Sequence, residues 1–122
     1  VLHFAFASFE MLFPRCAAVM HHGGIGTVAK AMTAGIPQLI HPLCFDQIDN
    51  GVRAKRLGVG DCLRARRSSG RQIATALAAL MTDESRTTCR KLMTRFDNTD
   101  AFATSAGLIE KLATDRATTS SS

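Results

Sequence analysis

No two cysteines in this chain stand close enough to pinch a metal or frame a small disulfide scaffold. Cys16, Cys44, Cys62 and Cys89 are far apart and form no CxxC motif. That excludes a disulfide-dense secreted module and a zinc module, and it agrees with a reducing cytoplasm. Cys16, Cys44 and Cys62 are expected to act as small buried hydrophobes. A long hydrophobic run is lacking too. The first twenty residues, VLHFAFASFEMLFPRCAAVM, are apolar in bulk but carry His3, Glu10 and Arg15. They have neither a basic leader nor the roughly 18 uninterrupted apolar residues of a membrane helix. Tryptophan and tyrosine are absent. The most basic stretch, Arg64-Ala65-Arg66-Arg67-Ser68-Ser69-Gly70-Arg71, has no aromatic residue between its charges, so it offers no stacking platform for bases and no nucleic-acid partner is expected. It reads as a solvated loop. The fingerprints GxGxxG and GxxxxGK[ST] are missing, so nicotinamide cofactors and P-loop nucleotides are poor matches. His21 and His22 are adjacent, and neither His3 nor His41 stands at ligand spacing from them. No metal and no cofactor is expected.

What is present describes one globular domain. The chain has 122 residues, 46% of them hydrophobic and 20% charged, which suits a packed core and not a disordered chain. The net charge of +5 favours anionic partners such as nucleotides, phosphates or acidic lipid surfaces. Short apolar segments alternate with helical ones. After an apolar stretch around Leu2–Phe6, Phe9–Phe13 reads as a short helix stopped by Pro14, and Cys16–Met20 as a buried strand. Thr27–Ala34 reads as a helix closed by Gly35 and Pro37. Gln38–His41 is a second strand, ending at Pro42. A helix capped by Asp46 or Asp49 follows, with Ile48, Val52 and Leu57 near one face and Gly58 at its end. Asp61–Leu63 is a third strand. From Gly70 onward the pattern is helical only. Its apolar faces are Ile73, Leu77, Leu80 and Met81, then Cys89, Leu92, Met93 and Phe96, and finally Leu108, Ile109 and Leu112. Residues 1–116 are expected to form the domain and residues 117–122 a disordered tail. The abrupt apolar start at Val1 looks like a cut through something longer.

Strands alternating with helices through short connections predict an α/β fold: a Rossmann-like parallel sheet with helices on both faces. In such sheets ligands bind beyond the carboxyl ends of the strands. The stretch His21-His22-Gly23-Gly24-Ile25-Gly26-Thr27 stands at such a point, between a strand and a helix, and the loop Pro42–Asp46 occupies the same end of the neighbouring strand. The two loops are expected to face one crevice. A helix N-terminus offers unpaired N–H groups and partial positive charge. Gly23, Gly24 and Gly26 would let a diphosphate reach the backbone, and the Thr27 hydroxyl would add a donor. Tight packing alone is the competing explanation for the glycines.

A longer stretch, HHGGIGTVAKAMTAGIPQLIHPLCFDQIDNGVRAKRLGVG (residues 21–60), resembles the donor-binding signature of the UDP-glycosyltransferase superfamily, the GT-B enzymes of family 1. The likeness is greatest to bacterial members related to UDP-glucuronosyltransferases. It rests on the order His-x-Gly, Ala-Gly-x-Pro, Asp-Gln and Leu-Gly-x-Gly at these spacings. The resemblance implies a truncated C-terminal half of a GT-B fold, a hexosyltransferase that takes a nucleotide-diphosphate sugar, with a UDP-sugar favoured. By the same resemblance, His22 reaches the diphosphate, and Gly24, Gly26 and Thr27 line the phosphates. Asp46 and Gln47 hydrogen-bond the sugar hydroxyls, and Asn50 orients the loop. Asp46 has a plain helix cap as its alternative role, and His21 is expected to be a packed strand-end residue. Lys30 departs from the pattern: many members carry a glutamate there for the ribose hydroxyls, which a lysine cannot accept. The acceptor site and the general base belong, by resemblance, to an N-terminal domain supplied in cis or in trans, so the catalytic residues of this chain are unknown. The implied step is direct displacement at the anomeric carbon, with the leaving diphosphate held by positioned donors. Peripheral membrane contact is implied if the acceptor is a lipid. Two alternatives stay open: a small donor-binding subunit with a separate acceptor-binding partner, and a non-catalytic module for a phosphorylated ligand. A cytoplasmic location is expected throughout.

Overall fold

The computed structural model describes residues 1–63, 68–96 and 100–119. Its centre is a sheet of three parallel strands in the order β1 (Val19–His21), β2 (Gln38–Ile40), β3 (Gly60–Cys62). Val19, Met20 and His21 lie opposite Gln38, Leu39 and Ile40, which in turn lie opposite Gly60, Asp61 and Cys62. Helix α1 (Phe9–Leu12) runs into a 3-10 turn (Phe13–Arg15) and precedes β1; α2 (Ile25–Thr33) and α3 (Gln47–Arg56) make the two crossovers. Three helices follow: α4 (Gly70–Leu80), α5 (Asp83–Met93) and α6 (Ala101–Thr119).

Right-handed crossovers between successive parallel neighbours place α2 and α3 on one face of the sheet. Ile40 there joins Val28 of α2, Ala54 of α3, Val59 and Cys89 of α5 in one buried cluster. A second cluster joins Phe13, Ala31 and Ile36, with Cys16 and Val19 packed against it. Leu39 points to the opposite face and is fully buried, where α4 packs against β2 and β3. The α/β fold with a parallel sheet and helices on both faces stands as expected.

Element boundaries moved where pairing or packing decides them. β1 begins at Val19, not Cys16, because the ladder to β2 starts there; the Val19 N–H bonds to the Pro37 carbonyl. α2 begins two residues before Thr27, since the N–H groups of Thr27 and Val28 both reach the Gly24 carbonyl. Neither Asp46 nor Asp49 caps α3 with its side chain. The buried stripe of α3 is Asn50, Gly51 and Ala54; Ile48 and Leu57 are exposed. Small residues let this helix sit close on the sheet: a Cβ at Gly51 would meet Cys62 Sγ at 2.6 Å. α4 opens on a capping box, in which Ser69 Oγ accepts from the Gln72 N–H and Gln72 Oε1 accepts from the Ser69 N–H. On α4 the expected face Ile73, Leu77 and Leu80 is the inner one, and Met81 lies outside.

The cysteines divide differently from expectation: Cys89 is buried, Cys16 and Cys62 half-buried, and Cys44 exposed. On α6, Leu108, Ile109 and Leu112 are each at least 60% exposed, so that apolar face has no cover among the described residues. α6 continues through Thr119, three residues into the stretch expected to be a tail. Residues 120–122 lie outside the described residues, as do residues 64–67, the heart of the basic stretch.

Candidate functional site

β1 delivers its last residue, His21, to the carboxyl edge of the sheet, and the chain turns at once into α2. His21 is tied at both ring nitrogens. Its Nδ1 accepts the Gly23 N–H at 3.0 Å, and its Nε2 lies 3.0 Å from Gln38 Oε1. Burial pushes the His21 imidazolium pKa down, more than the Gln38 bond raises it, and the neighbouring His22 lowers it further. His21 is therefore a neutral, packed strand-end residue. A histidine held below its ordinary value of 6.5 binds its proton more readily in the unfolded chain. Stability contributed by this site is thus complete above about pH 6.5 and is lost as the pH falls below it. The thermal midpoint should drop between pH 8 and pH 5.5, and His21→Asn should flatten that part of the profile. An identical pH slope in parent and variant would show that His21 does not carry it.

The three glycines of the loop do three different things. Gly23 has φ +95°, a region that side chains rarely enter, and a Cβ on it would lie 2.7 Å from Ile40 Cγ2 and 3.1 Å from the Gln47 carbonyl. Its N–H goes to His21 and its carbonyl accepts from Asn50 Nδ2 at 2.9 Å. Gly23 is thus committed to packing and internal hydrogen bonds in this geometry. Gly24 ends the loop as the N-cap of α2; a Cβ there would meet His22 Nε2 at 2.8 Å. Its missing side chain makes room for the exposed His22 ring to lie over the start of α2. Gly26 sits in the first helical turn, and apart from its chain neighbours and its own helix backbone no atom of the described residues lies within 4 Å of where a Cβ would be. Neither conformation nor packing among the described residues explains that glycine.

The second loop meets the first through Asn50, which is buried on α3. Its Nδ2 donates to the Gly23 carbonyl and to Asp46 Oδ2, both at 2.9 Å. Asn50 thus ties the two loops to each other, and the Asp46 carboxylate is turned to Asn50 and not to the first N–H groups of α3. Gln47 Oε1 accepts from the Leu43 and Cys44 N–H groups at 2.8 and 3.1 Å, so its carbonyl closes the loop; its amide N–H2 makes one weak contact, to Cys44 Sγ at 4.0 Å, and keeps a second N–H for another partner. Asp49 pairs with Arg53 at 2.7 Å. Phe45, which sequence reasoning passed over, has φ +57° and is 89% exposed. Left-handed backbone at a bulky residue is a strained arrangement of the kind found at ligand-contacting loops. Only its neighbours Asp46 and Gln47 gave a sequence signal.

Lys30 lies away from this edge. Its Nζ donates to Glu10 Oε1 of α1 at 2.8 Å, and the Glu10 carboxyl is held below its ordinary value by that hydrogen bond and the lysine charge. Lys30→Glu is therefore expected to leave both the affinity for a nucleoside diphosphate and its dependence on salt unchanged, as titrations at two ionic strengths would show. A weakened affinity with a flatter salt slope would place Lys30 in the site. An open depression of about 540 Å³, lined among others by Arg15, Ala34, Pro37, Arg86 and Arg90, lies at the far end of α2, about 13 Å from its N-terminus. Among the described residues no group of three or more His, Cys, Asp or Glu is placed to hold a metal ion, and no helix is long and apolar enough to cross a membrane.

The sheet edge thus gathers a glycine loop, a helix N-terminus, an exposed histidine and an acid–amide pair in one place. Residues 2–107 match the family described as erythromycin biosynthesis protein CIII-like, C-terminal domain. The chain belongs to this family. It is a C-terminal domain of the family 1 GT-B glycosyltransferases. An uncharacterised glycosyltransferase of Mycobacterium leprae is 33% identical over 99 residues, covering 81% of this chain and 24% of that protein. The sterol 3-beta-glucosyltransferase of Cryptococcus neoformans is 44% identical over 73 residues, 60% of this chain and 4% of the enzyme. Among solved structures, the spinosyn rhamnosyltransferase SpnG complexed with thymidine diphosphate aligns with TM-score 0.65 and 30% identity over 70% of this chain and 24% of that one. The spinosyn forosaminyltransferase SpnP aligns with TM-score 0.81 over 92% of this chain and 31% of that one, at 22% identity, and so supports the fold. This glycosyltransferase domain spans a quarter or less of the two curated relatives described.

Proposed function

We propose that the chain is the nucleotide-sugar-binding part of a hexosyltransferase. The diphosphate sits at the N-terminus of α2, against His22, Gly24, Gly26 and Thr27, and the sugar lies toward Asp46 and Gln47. The observation that carries this reading is Gly26, a glycine whose Cβ position meets nothing among the described residues outside its own helix turn, at a helix N-terminus where free N–H groups and partial positive charge favour an anion. The Thr27 hydroxyl has no partner among the described residues, and a diphosphate oxygen would give it one. At the sugar end, the Asp46 carboxylate accepts from a hydroxyl while the Gln47 amide N–H2 donates to one, which is the complementary pairing two adjacent hydroxyls need.

Such a site acts by stabilising charge on the departing diphosphate while an acceptor oxygen displaces it from the anomeric carbon. The acceptor site and the base that deprotonates the acceptor belong to an N-terminal domain. A relative's complex with thymidine diphosphate supports a nucleoside diphosphate as ligand; UDP is our choice among the bases. The location proposed is the cytoplasm, with membrane contact only where the acceptor is a lipid.

Calorimetric titration with UDP, dTDP and GDP tests the class and ranks the bases. Gly26→Ala tests the seat. Alanine is favoured over glycine in a helix by about 0.5–1 kcal/mol, so the thermal midpoint should stay level or rise, while a methyl group in the anion's path weakens nucleoside diphosphate binding by roughly tenfold. A variant that is more stable and binds like the parent would leave Gly26 outside the site.

A further inference from the structure

Gln38 is the middle strand's first residue, and its side chain is fully buried. Two neighbouring strands accommodate it. On β3, Gly60 makes room: a Cβ there would stand 2.9 Å from Gln38 Cγ. On β1, His21 supplies the bond. The direction of that bond follows by elimination. A backbone N–H can only donate, so the 3.0 Å contact from Gly23 to Nδ1 makes Nδ1 the acceptor. A neutral imidazole then carries its proton on Nε2, and the Gln38 atom 3.0 Å away must be the accepting oxygen, Oε1. The amide nitrogen of Gln38 is left buried with no partner among the described residues. An orphaned buried donor is unfavourable, and a methionine of similar shape would avoid it. Packing alone therefore does not call for glutamine at this position.

We infer that Gln38 is a positioning residue for the diphosphate loop: by accepting the His21 Nε2–H it keeps Nδ1 free to hold the Gly23 N–H, and so sets the backbone that presents His22 and the first turn of α2. The inference rests on the donor-site reading above. It reaches from the core to the loop through one histidine, a strand away from any ligand. Without the Gln38 oxygen, the Nε2–H of His21 would be left unpaired in a half-buried position. The ring then gains by moving its proton to Nδ1, which cannot accept from Gly23.

Side-chain 15N spectra of the chain with labelled histidine, combined with UDP titration, test this. In the parent, His21 should be the Nε2–H tautomer; an Nδ1–H tautomer or a charged ring at pH 8 overturns the inference without any variant. In Gln38→Met the midpoint should stay level or rise. His21 should shift toward the Nδ1–H form, the Gly23 amide should lose protection from exchange, and UDP affinity should fall about three- to tenfold. A Met variant that keeps the parent tautomer and affinity overturns the inference alone, because the parent still binds. Absence of binding by the parent to UDP, dTDP and GDP alike overturns the donor reading instead, and the tautomer and the Gly23 exchange rate still decide what Gln38 does to the loop.

Discussion

Gly23→Ala is expected to lower the thermal midpoint by on the order of 10 °C, the larger of two effects foreseen in the loop. Two terms add. The backbone at φ +95° is open to glycine and hostile to a side chain, and the new methyl would press into Ile40 Cγ2 at 2.7 Å, in the centre of the main buried cluster. Left-handed strain of about 1–2 kcal/mol and overpacking of about 1–3 kcal/mol give roughly 2–5 kcal/mol in total, and a domain of this size loses several degrees per kcal/mol. Thermal melts followed by circular dichroism would measure it. The contrast with Gly26→Ala is the sharper test, because two glycines three residues apart should respond in opposite senses. If Gly23→Ala melts near the parent, the loop has another conformation at hand, and the ring-to-backbone bond from His21 does not define it.

The second large effect is on binding. His22→Ala should weaken nucleoside diphosphate binding tenfold or more and leave folding untouched. His22 is exposed, and its ring lies over Gly24, so little packing is lost with it. A hydrogen bond to a charged group contributes about 1.5–3 kcal/mol, and each 1.4 kcal/mol is a factor of ten in affinity. Calorimetry on His22→Ala beside His21→Asn separates neighbours that the sequence presents as a pair. The first should lose affinity at constant midpoint, and the second should lose midpoint as well. Equal affinity in His22→Ala and the parent would confine the histidine pair to structure.

Much of the site was legible because it is local. A glycine loop between a strand and a helix, and an acid–amide pair at the start of the next helix, are read from a few consecutive residues, and the structure brings both to one edge through Asn50. What the sequence did not settle is non-local. Lys30 stands out in the sequence only as a departure from the family's pattern; its partner is Glu10, twenty residues earlier, which only the fold brings near. The apolar spacing of Ile48, Val52 and Leu57 suggests the inner face of α3. Yet the sheet accepts Asn50, Gly51 and Ala54 there, because close approach to Cys62 and Ile40 favours small residues over large ones. Gln38 gave no sign at all, since a glutamine inside an apolar strand is meaningful only once the histidine beside it is known.

The sequence by itself determined the alternation of strand and helix, the parallel sheet it implies, the place of the glycine loop beyond a strand end and the family the chain belongs to. The first three follow from periodicity and spacing along the chain, which short-range sterics and hydrophobic pattern set; the family follows from the resemblance of residues 21–60 and the match over residues 2–107. Only the tertiary structure decided which glycine serves packing and which is left open, which partners the two ring nitrogens of His21 meet, where Asp46 and Gln47 turn, and that Lys30 faces α1. Those choices depend on atoms from different strands and helices meeting within hydrogen-bond or van der Waals distance. Such meetings are fixed by the register of the sheet and the closeness of the helices upon it.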